Sequence, residues 1–468
     1  MKRRDFLKTA GYGILATATL SRAETRSESA KPNILIIMSD QQFGDGMSCV
    51  LGRKYLHTPH MDSLAENGMR FTRAYSPNPL CTPMRTSMML GKYPHQTGVQ
   101  TNGGRFRKEA GSETIGKIFR EAGYEAAYFG KWHVAFRNDN AFEPYLQRGC
   151  VLDAKRAADF VRKKHDRPFL MIASFLSPHE ICEWARKQNL PGGSIGDPPP
   201  LDQRPPLREN AAPPKNETDI MTHMRKSYHA TRMFPVGNYT VDDWRRHIWG
   251  YYRLIERMDG FVGKVMKALR ESGQEENTVV VFLSDHGDCH GAHGWNQKTV
   301  FYDESARVPF VISQKGTTPK GTCDLLLNVG VDMIPTICDF AGIKPPDGLP
   351  GNSMKAPALG KSPSWKREYV VTQNCLAQGA TVDDKKIRPH GRMIRSDRYK
   401  YCLYSEGERR ESLVDMEKDP GEMINQAGNP GFKEALNQHR GFLKEFAERH
   451  KDEMALEMLR HVEEAKGA

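Results

Sequence analysis

The sequence contains no pair of cysteines at the two-residue spacing of a redox or zinc motif; its nine cysteines, at 49, 81, 150, 182, 289, 323, 338, 375 and 402, are scattered. That pattern excludes a disulfide scaffold and a cysteine-rich zinc module, and leaves most of them as small core residues. The odd count leaves one over. Nor is there an apolar run of about twenty residues, the length needed to span a bilayer. With 38% hydrophobic and 27% charged residues, the composition is that of a soluble globular chain, not of a membrane or disordered one. Basic residues never cluster with interleaved aromatics, so a nucleic-acid surface is not expected. There is no internal repeat, which excludes a repeat architecture. The length, 468 residues, suits one large domain and a smaller one.

At the N-terminus, a charged patch from Met1 to Lys8 precedes the mildly apolar stretch Thr9 to Leu20, and Ser21-Arg22-Ala23 then offers small residues for cleavage. Residues 1–23 therefore read as an export signal. Arg3-Arg4 followed by Phe6-Leu7 resembles the twin-arginine type, which implies the twin-arginine export machinery as a partner and a periplasmic or secreted location. No cysteine lies near Ala23, so a lipoprotein anchor is not expected. Removing residues 1–23 takes away five cations and one carboxylate, which lowers the formal charge from +11 to +7. A basic excess suits an anionic substrate.

Short β-branched runs predict buried strands at Asn33 to Met38, Ala126 to Phe129, Phe169 to Phe175 and Thr278 to Leu283. Between them, Thr114 to Ala122, Asp153 to Lys164 and Trp244 to Ser272 read as helices. Strands alternating with helices predict an α/β fold, a mostly parallel sheet covered on both faces. From Ile181 to Val241 the chain is rich in proline with little periodicity; this is either a mobile surface loop or a wall of a substrate pocket. After Pro345-Pro346 the pattern changes to runs at Glu368 to Thr372 and Tyr399 to Tyr404, then a charged helical tail from Phe432. The expected division is a catalytic domain over residues 31–360 and a small α+β subdomain with antiparallel strands over 365–468.

Ligands of open α/β sheets gather outside the carboxyl ends of the strands. Here Ile34 to Met38 runs into Ser39-Asp40-Gln41, and Val279 to Leu283 into Ser284-Asp285-His286-Gly287. Tyr128-Phe129 leads to Gly130-Lys131-Trp132-His133, and Phe169 to Phe175 to Ser177-Pro178-His179. Brought together, these groups make an oxygen-rich metal site ringed by cations and imidazoles. Oxygen ligands favour a hard cation, calcium first, with magnesium or manganese as alternatives. A fifth element, Cys81-Thr82-Pro83-Met84-Arg85, leads into a helix starting near Pro83.

Cys81, Pro83 and Arg85 with Gly91 resemble the signature of the sulfatase family, in which the cysteine is oxidised to formylglycine. Gly123-Tyr124 through Gly130-Lys131-Trp132-His133 is similar to that family's second motif. Asp285-His286-Gly287 with Lys298, Tyr302 through Arg307-Val308-Pro309, Val331 to Pro335 and Arg395 to Tyr401 also match, in the family's order, across roughly residues 31–425.

The resemblance implies an alkaline-phosphatase-like fold and hydrolysis of sulfate monoesters, most naturally of a sulfated carbohydrate. It implies that Asp40, Gln41, Asp285, His286 and an oxygen of the residue made from Cys81 hold the metal. Gln41 stands where many sulfatases have a second aspartate. Arg85, Lys131 and Lys298 would neutralise the sulfuryl oxygens, His133 would serve the formylglycine hydroxyl, and His179 with Lys298 the departing alcohol oxygen. A formylglycine-generating or sulfatase-maturating enzyme is the implied partner. Two other readings stand beside this one: a phosphonate monoester or phosphodiester hydrolase on the same scaffold, and a non-catalytic binder of sulfated glycans in which Cys81 stays a thiol.

Overall fold

The computed structural model describes residues 31–467 apart from 139 and 147–150; the expected export signal and Cys150 lie outside the described residues. Eight strands form the central sheet: β1 (Asn33–Asp40), β2 (Met69–Phe71), β3 (Glu125–Gly130), β4 (Tyr145–Leu146), β5 (Phe169–Pro178), β6 (Thr278–Ser284), β7 (Phe310–Ser313) and β8 (Gly321–Cys323). Their spatial order is β4-β3-β5-β1-β6-β7-β2-β8. The pairings from β4 to β6 are parallel, and β7 runs antiparallel to β6. The four strands expected from sequence form the middle of this sheet.

β1 and β6 are unbroken apolar runs in which every residue is buried, as central parallel strands covered on both faces require. Side chains alternate between two layers. Ile34, Ile36 and Met38 meet Met84 and Met88 of α1 (Cys81–Leu90), Ile118 and Phe119 of α2 (Ile115–Glu121), and Ile334 and Ile337 of a helix over Met333–Ala341. Leu35 and Ile37 face Ala157 and Val161 of α3 (Val151–Arg162). On that same side lie Val262, Val265 and Leu269 of a long helix, Val241–Glu271. The long helix begins with a capping box: Thr240 Oγ1 accepts from Asp243 N at 3.2 Å, and Asp243 Oδ2 accepts from Thr240 N at 3.0 Å.

A second, antiparallel sheet follows, β9 (Tyr369–Cys375), β10 (His390–Ser396), β11 (Tyr399–Tyr404) and β12 (Glu411–Asp415), in sequential order. One face, with Ile394, Tyr401 and Leu413, packs on Leu443, Phe446 and Met458 of the two C-terminal helices. The sheet is stitched to the core through β9: Thr372 Oγ1 donates to Ser76 O at 2.8 Å, Gln373 N to Pro77 O at 2.8 Å, and Asn374 Nδ2 to Thr299 O at 2.6 Å.

The 181–241 segment is irregular and mostly exposed or half-buried over 187–217 and packed beyond it. It contains a helix over Asp219–His229 whose Ile220, Met221, Met224 and Tyr228 join Trp295 and Phe301 in one apolar cluster. The eight described cysteines are free thiols, and Cys81, Cys182, Cys289, Cys338, Cys375 and Cys402 are buried.

His247, in the long helix, is 1% exposed, and neither ring nitrogen has a hydrogen-bond partner among the described residues. Burial, and then the neighbouring Arg246 cation, push its pKa down from 6.5 to about 3. The unfolded chain thus binds a proton below pH 6.5 that the folded chain refuses, so stability falls as the pH drops through this window. Between pH 7 and pH 5 this one group costs about 2 kcal/mol. His247→Leu is expected to remove that share of the acid sensitivity, measured by urea unfolding at both pH values. An unchanged difference between the two would show that the imidazole is accommodated in its charged form.

Candidate active site

The carboxyl ends of β1, β3, β5 and β6 lie level at one edge of the sheet: Ser39 is in register with Ser284, Asp40 with Pro178, and Gly130 with Ser174. β3 leaves the sheet at Gly130, whose φ is +100° and where a Cβ would stand 1.9 Å from Ser174 O. Only glycine fits, and the turn delivers Lys131 and His133 to the same edge. β1 leaves through Gln41, its N–H bonded to Asp285 Oδ1 at 3.1 Å and its carbonyl accepting from Tyr251 Oη at 2.5 Å.

Cys81 is the first residue of α1, so the helix presents its unpaired N–H end and partial positive charge there. The thiol is 1% exposed. Its Sγ lies 3.1 Å from His286 Nε2, 3.5 Å from Lys298 Nζ, 3.6 Å from Lys131 Nζ and 3.9 Å from Asp40 Oδ1. His133 and His179 also lie close to this thiol and close the ring. His286 Nδ1 sits 3.0 Å from Gly287 O, and a proton on Nδ1 makes that hydrogen bond. Lys131 Nζ is 2.5 Å from Asp40 Oδ2, and Lys298 Nζ donates to Gln41 Oε1 at 2.6 Å.

Arg85 lies one turn along α1. Its guanidinium is fully buried and committed: Nε donates to Asp285 Oδ2 at 2.9 Å, Nη2 to Asp40 Oδ2 at 2.9 Å, and Nη1 to Lys131 O at 2.8 Å and Ser174 Oγ at 2.7 Å. It neutralises and spaces two carboxylates rather than reaching past Cys81.

The charges shape one another. Burial alone would raise the Cys81 thiol, but Lys131, Lys298 and His286 overcome it and hold the thiol well below its ordinary range. Burial and the Cys81 sulfur would likewise raise Asp40; the Lys131 and Arg85 cations depress it instead. Asp285 is raised by burial and by Asp40 beside it. His179 is pushed down to about 4, by burial and then by the two lysine cations, and is neutral at neutral pH.

One nitrogen or oxygen atom each of Asp40, Asp285 and His286, with Cys81 Sγ, lies within 4.8 Å of all the others. That span is about twice a calcium–oxygen distance. Two carboxylates, an imidazole and the nearby Gln41 amide oxygen fit a hard divalent cation. A second buried cluster, His293, Glu304 and Glu422, is already met by Arg208, Asn210 and Lys400, and reads as structural.

The candidate site residues Asp40, Gln41, Cys81, Arg85, Lys131, His133, His179, Asp285, His286 and Lys298 lie together at this one edge. Sequence reasoning missed Ser174, Tyr251 and Asp288, which fix Arg85, the Gln41 carbonyl and the Gln41 carboxamide respectively. For Asp288, the signal was available: it stands three residues after Asp285 in the same strand-end loop. Cys182 and Tyr228 of the 181–241 segment approach the site, through Gln41 Nε2 at 3.7 Å and Thr299 Oγ1 at 3.1 Å.

A family model described as sulfatase matches residues 32–343, and one described as N-sulphoglucosamine sulphohydrolase, C-terminal, matches residues 291–449. The chain is 30% identical over 452 residues to a delta 4,5-hexuronate-2-O-sulfatase of Bacteroides thetaiotaomicron, covering 90% of each chain. It is 30% identical to an ulvan-active sulfatase of Formosa agariphila, covering 89% of this chain and 81% of that one. A solved 2-O GAG sulfatase superposes with a TM-score of 0.78 at 28% identity, covering 90% of this chain and 93% of that one.

Replacing Arg85 by Met leaves two buried carboxylates without their shared counter-charge. The expected cost is about 3–5 kcal/mol of unfolding free energy, measured by urea denaturation. A loss below about 1 kcal/mol would show that Lys131 alone suffices to hold Asp40 and Asp285 together.

Proposed function

We propose that this chain, which belongs to the sulfatase family and is a sulfuric ester hydrolase, removes sulfate from a sulfated carbohydrate with a formylglycine made from Cys81 and a divalent cation, calcium first. The observation that carries the reading is the convergence of Lys131, Lys298, His133 and His179 on Cys81 Sγ, beside the Asp40, Asp285 and His286 cluster. In this reading Sγ stands where the oxygens of hydrated formylglycine lie. The hydrate supplies one hydroxyl to attack sulfur and a second whose deprotonation expels sulfate, so water need not attack an anionic ester. Asp40, Gln41, Asp285 and His286 would hold the cation, which would supply positive field for the nucleophile and the sulfuryl oxygens.

The chain's own residues do the rest. Lys131 and Lys298 carry fixed positive charge to the sulfuryl group without any proton bookkeeping. Arg85 acts one step back, keeping both carboxylates ionised and apart. His133 takes the proton of the second hydroxyl. His179, neutral at neutral pH, donates an N–H to the departing alcohol oxygen, with Lys298 beside it. Relatives named for a hexuronate 2-O-sulfate and for ulvan support a sulfated carbohydrate as the substrate class. Arg3-Arg4 with Phe6-Leu7 supports twin-arginine export to the periplasm or beyond, and maturation of Cys81 requires a dedicated oxidising enzyme.

Peptide mass spectrometry across residues 74–92 of protein from its own host tests the nucleophile. A loss of about 18 mass units at Cys81 is expected, the change from thiol to aldehyde; an unmodified thiol in active protein would overturn the formylglycine. Chelator dialysis should abolish sulfate release from a sulfated disaccharide and calcium should restore it. Full activity after metal removal would overturn the cation. Lys131→Ala and Lys298→Ala should each lower kcat by about 10²–10³-fold in a sulfate-release assay, as removal of a fixed charge-stabilising group does. Unchanged kcat in either variant would remove that lysine from the chemistry.

A further inference from the structure

We propose that Asp288 is a positioning residue of the metal-binding half of the site: it holds the Gln41 carboxamide so that its oxygen, and not its nitrogen, faces Lys298 and the Asp40–Asp285–His286 cluster. The inference rests on the reading of that cluster as a divalent-cation site.

An aspartate at position 41 would offer two equivalent acceptors, whereas a carboxamide has a donor end and an acceptor end and serves a cation only one way round. The main chain of Gln41 is pinned by Asp285 and Tyr251, but that leaves the amide free to turn about its last bond. Its neighbours decide the matter. Nε2 donates to Asp288 Oδ2 at 2.6 Å, and Oε1 accepts from Lys298 Nζ at 2.6 Å. Cys182 Sγ stands near both amide ends, 3.7 Å from Nε2 and 3.8 Å from Oε1, and has no strong preference for either. All four side chains are buried.

Asp288 is suited to this only as a carboxylate. Its second oxygen, Oδ1, accepts from His290 N at 2.6 Å. That donor cannot move aside: the His290 ring is packed 4.4 Å from Phe43 and 5.0 Å from Tyr251, and it is bonded through Nε2 to Arg208. Two fixed donors therefore converge on Asp288, and each needs an acceptor. An asparagine supplies one acceptor. With its oxygen on His290 N, its NH2 faces Gln41, which must present Oε1 to it and turn Nε2 toward the Lys298 ammonium. The donor would then point at a cation, and the site would lose an oxygen ligand. The native arrangement also sets the negative charge of Asp288 one amide behind Gln41, in line with Lys298, where it partly replaces the charge that an aspartate at 41 would bring.

Calcium titration of chelator-treated protein by calorimetry, with kcat/KM measured alongside, tests this on the native chain and three near-isosteric variants. Asp288→Asn is expected to weaken calcium binding by about 10–100-fold, the usual effect of losing a partner that orients a ligand. Gln41→Glu alone sets two carboxylates face to face and should also weaken it. Combined, Gln41→Glu with Asp288→Asn reverses the polarity of the bond, the carboxamide introduced at 288 now donating to a carboxylate at 41, and should restore native affinity. A purely structural Asp288 predicts the opposite, losses that add. Native affinity in Asp288→Asn, or a double variant weaker than both singles, overturns the proposal even if one single variant folds poorly. A native chain that binds no divalent cation overturns the metal reading itself, and that outcome is visible before any variant is made.

Discussion

Two carboxylates, Asp40 and Asp285, stand together at the ends of adjacent strands with no exposure to solvent, and the guanidinium of Arg85 bonds to one oxygen of each. The rest of the site depends on this bridge. Without it, repulsion and desolvation together would protonate a carboxylate or drive the strand ends apart. With it, the two anions keep a fixed spacing, and Lys131 is drawn in by Asp40 to lie beside Cys81. A planar fork suits this task better than a point charge, because its donors reach two acceptors in fixed directions while others hold Lys131 O and Ser174 Oγ.

Around that bridge the fold works as a set of braces. α1 carries Cys81 at its buried N-terminus and Arg85 one turn on, so one rigid element places both the reactive residue and the counter-charge beneath it. The loop before α1 is clamped by β9 through Ser76 and Pro77, and the same strand reaches Thr299, next to Lys298. The C-terminal sheet therefore steadies two sides of the active site. The buried pair of Arg392 and Asp452, bonded at 2.6 and 2.8 Å, ties that sheet to the C-terminal helices. The 181–241 segment is a third brace, through Cys182 beside Gln41 and Tyr228 against Thr299.

The central strands were legible because β1 and β6 are unbroken apolar runs, the pattern of a strand buried on both faces. The short pieces Met69–Phe71 and Tyr145–Leu146 span too few residues to show a period, and only pairing with a neighbour makes them strands. The helix over Asp219–His229 was hidden in a proline-rich stretch because its stability comes from Trp295 and Phe301, far along the chain. Among the site residues, those following an apolar strand could be named directly, since a strand end in such a sheet points at the ligand crevice.

What the sequence determined by itself was the inventory: which strands line the crevice, which carboxylates, lysines and imidazoles follow them, and that a cysteine stands at the head of a helix. Only the tertiary structure decided how each charge is used. Arg85 lies 200 residues from Asp285 and bonds its carboxylate; Gln41 lies 247 residues from the aspartate that its amide bonds. Local propensity and periodicity reach along a few turns of chain, whereas the partner of a buried polar group is chosen by packing among distant segments. Motifs could therefore be found by reading along the chain, but the direction in which each hydrogen bond runs could not.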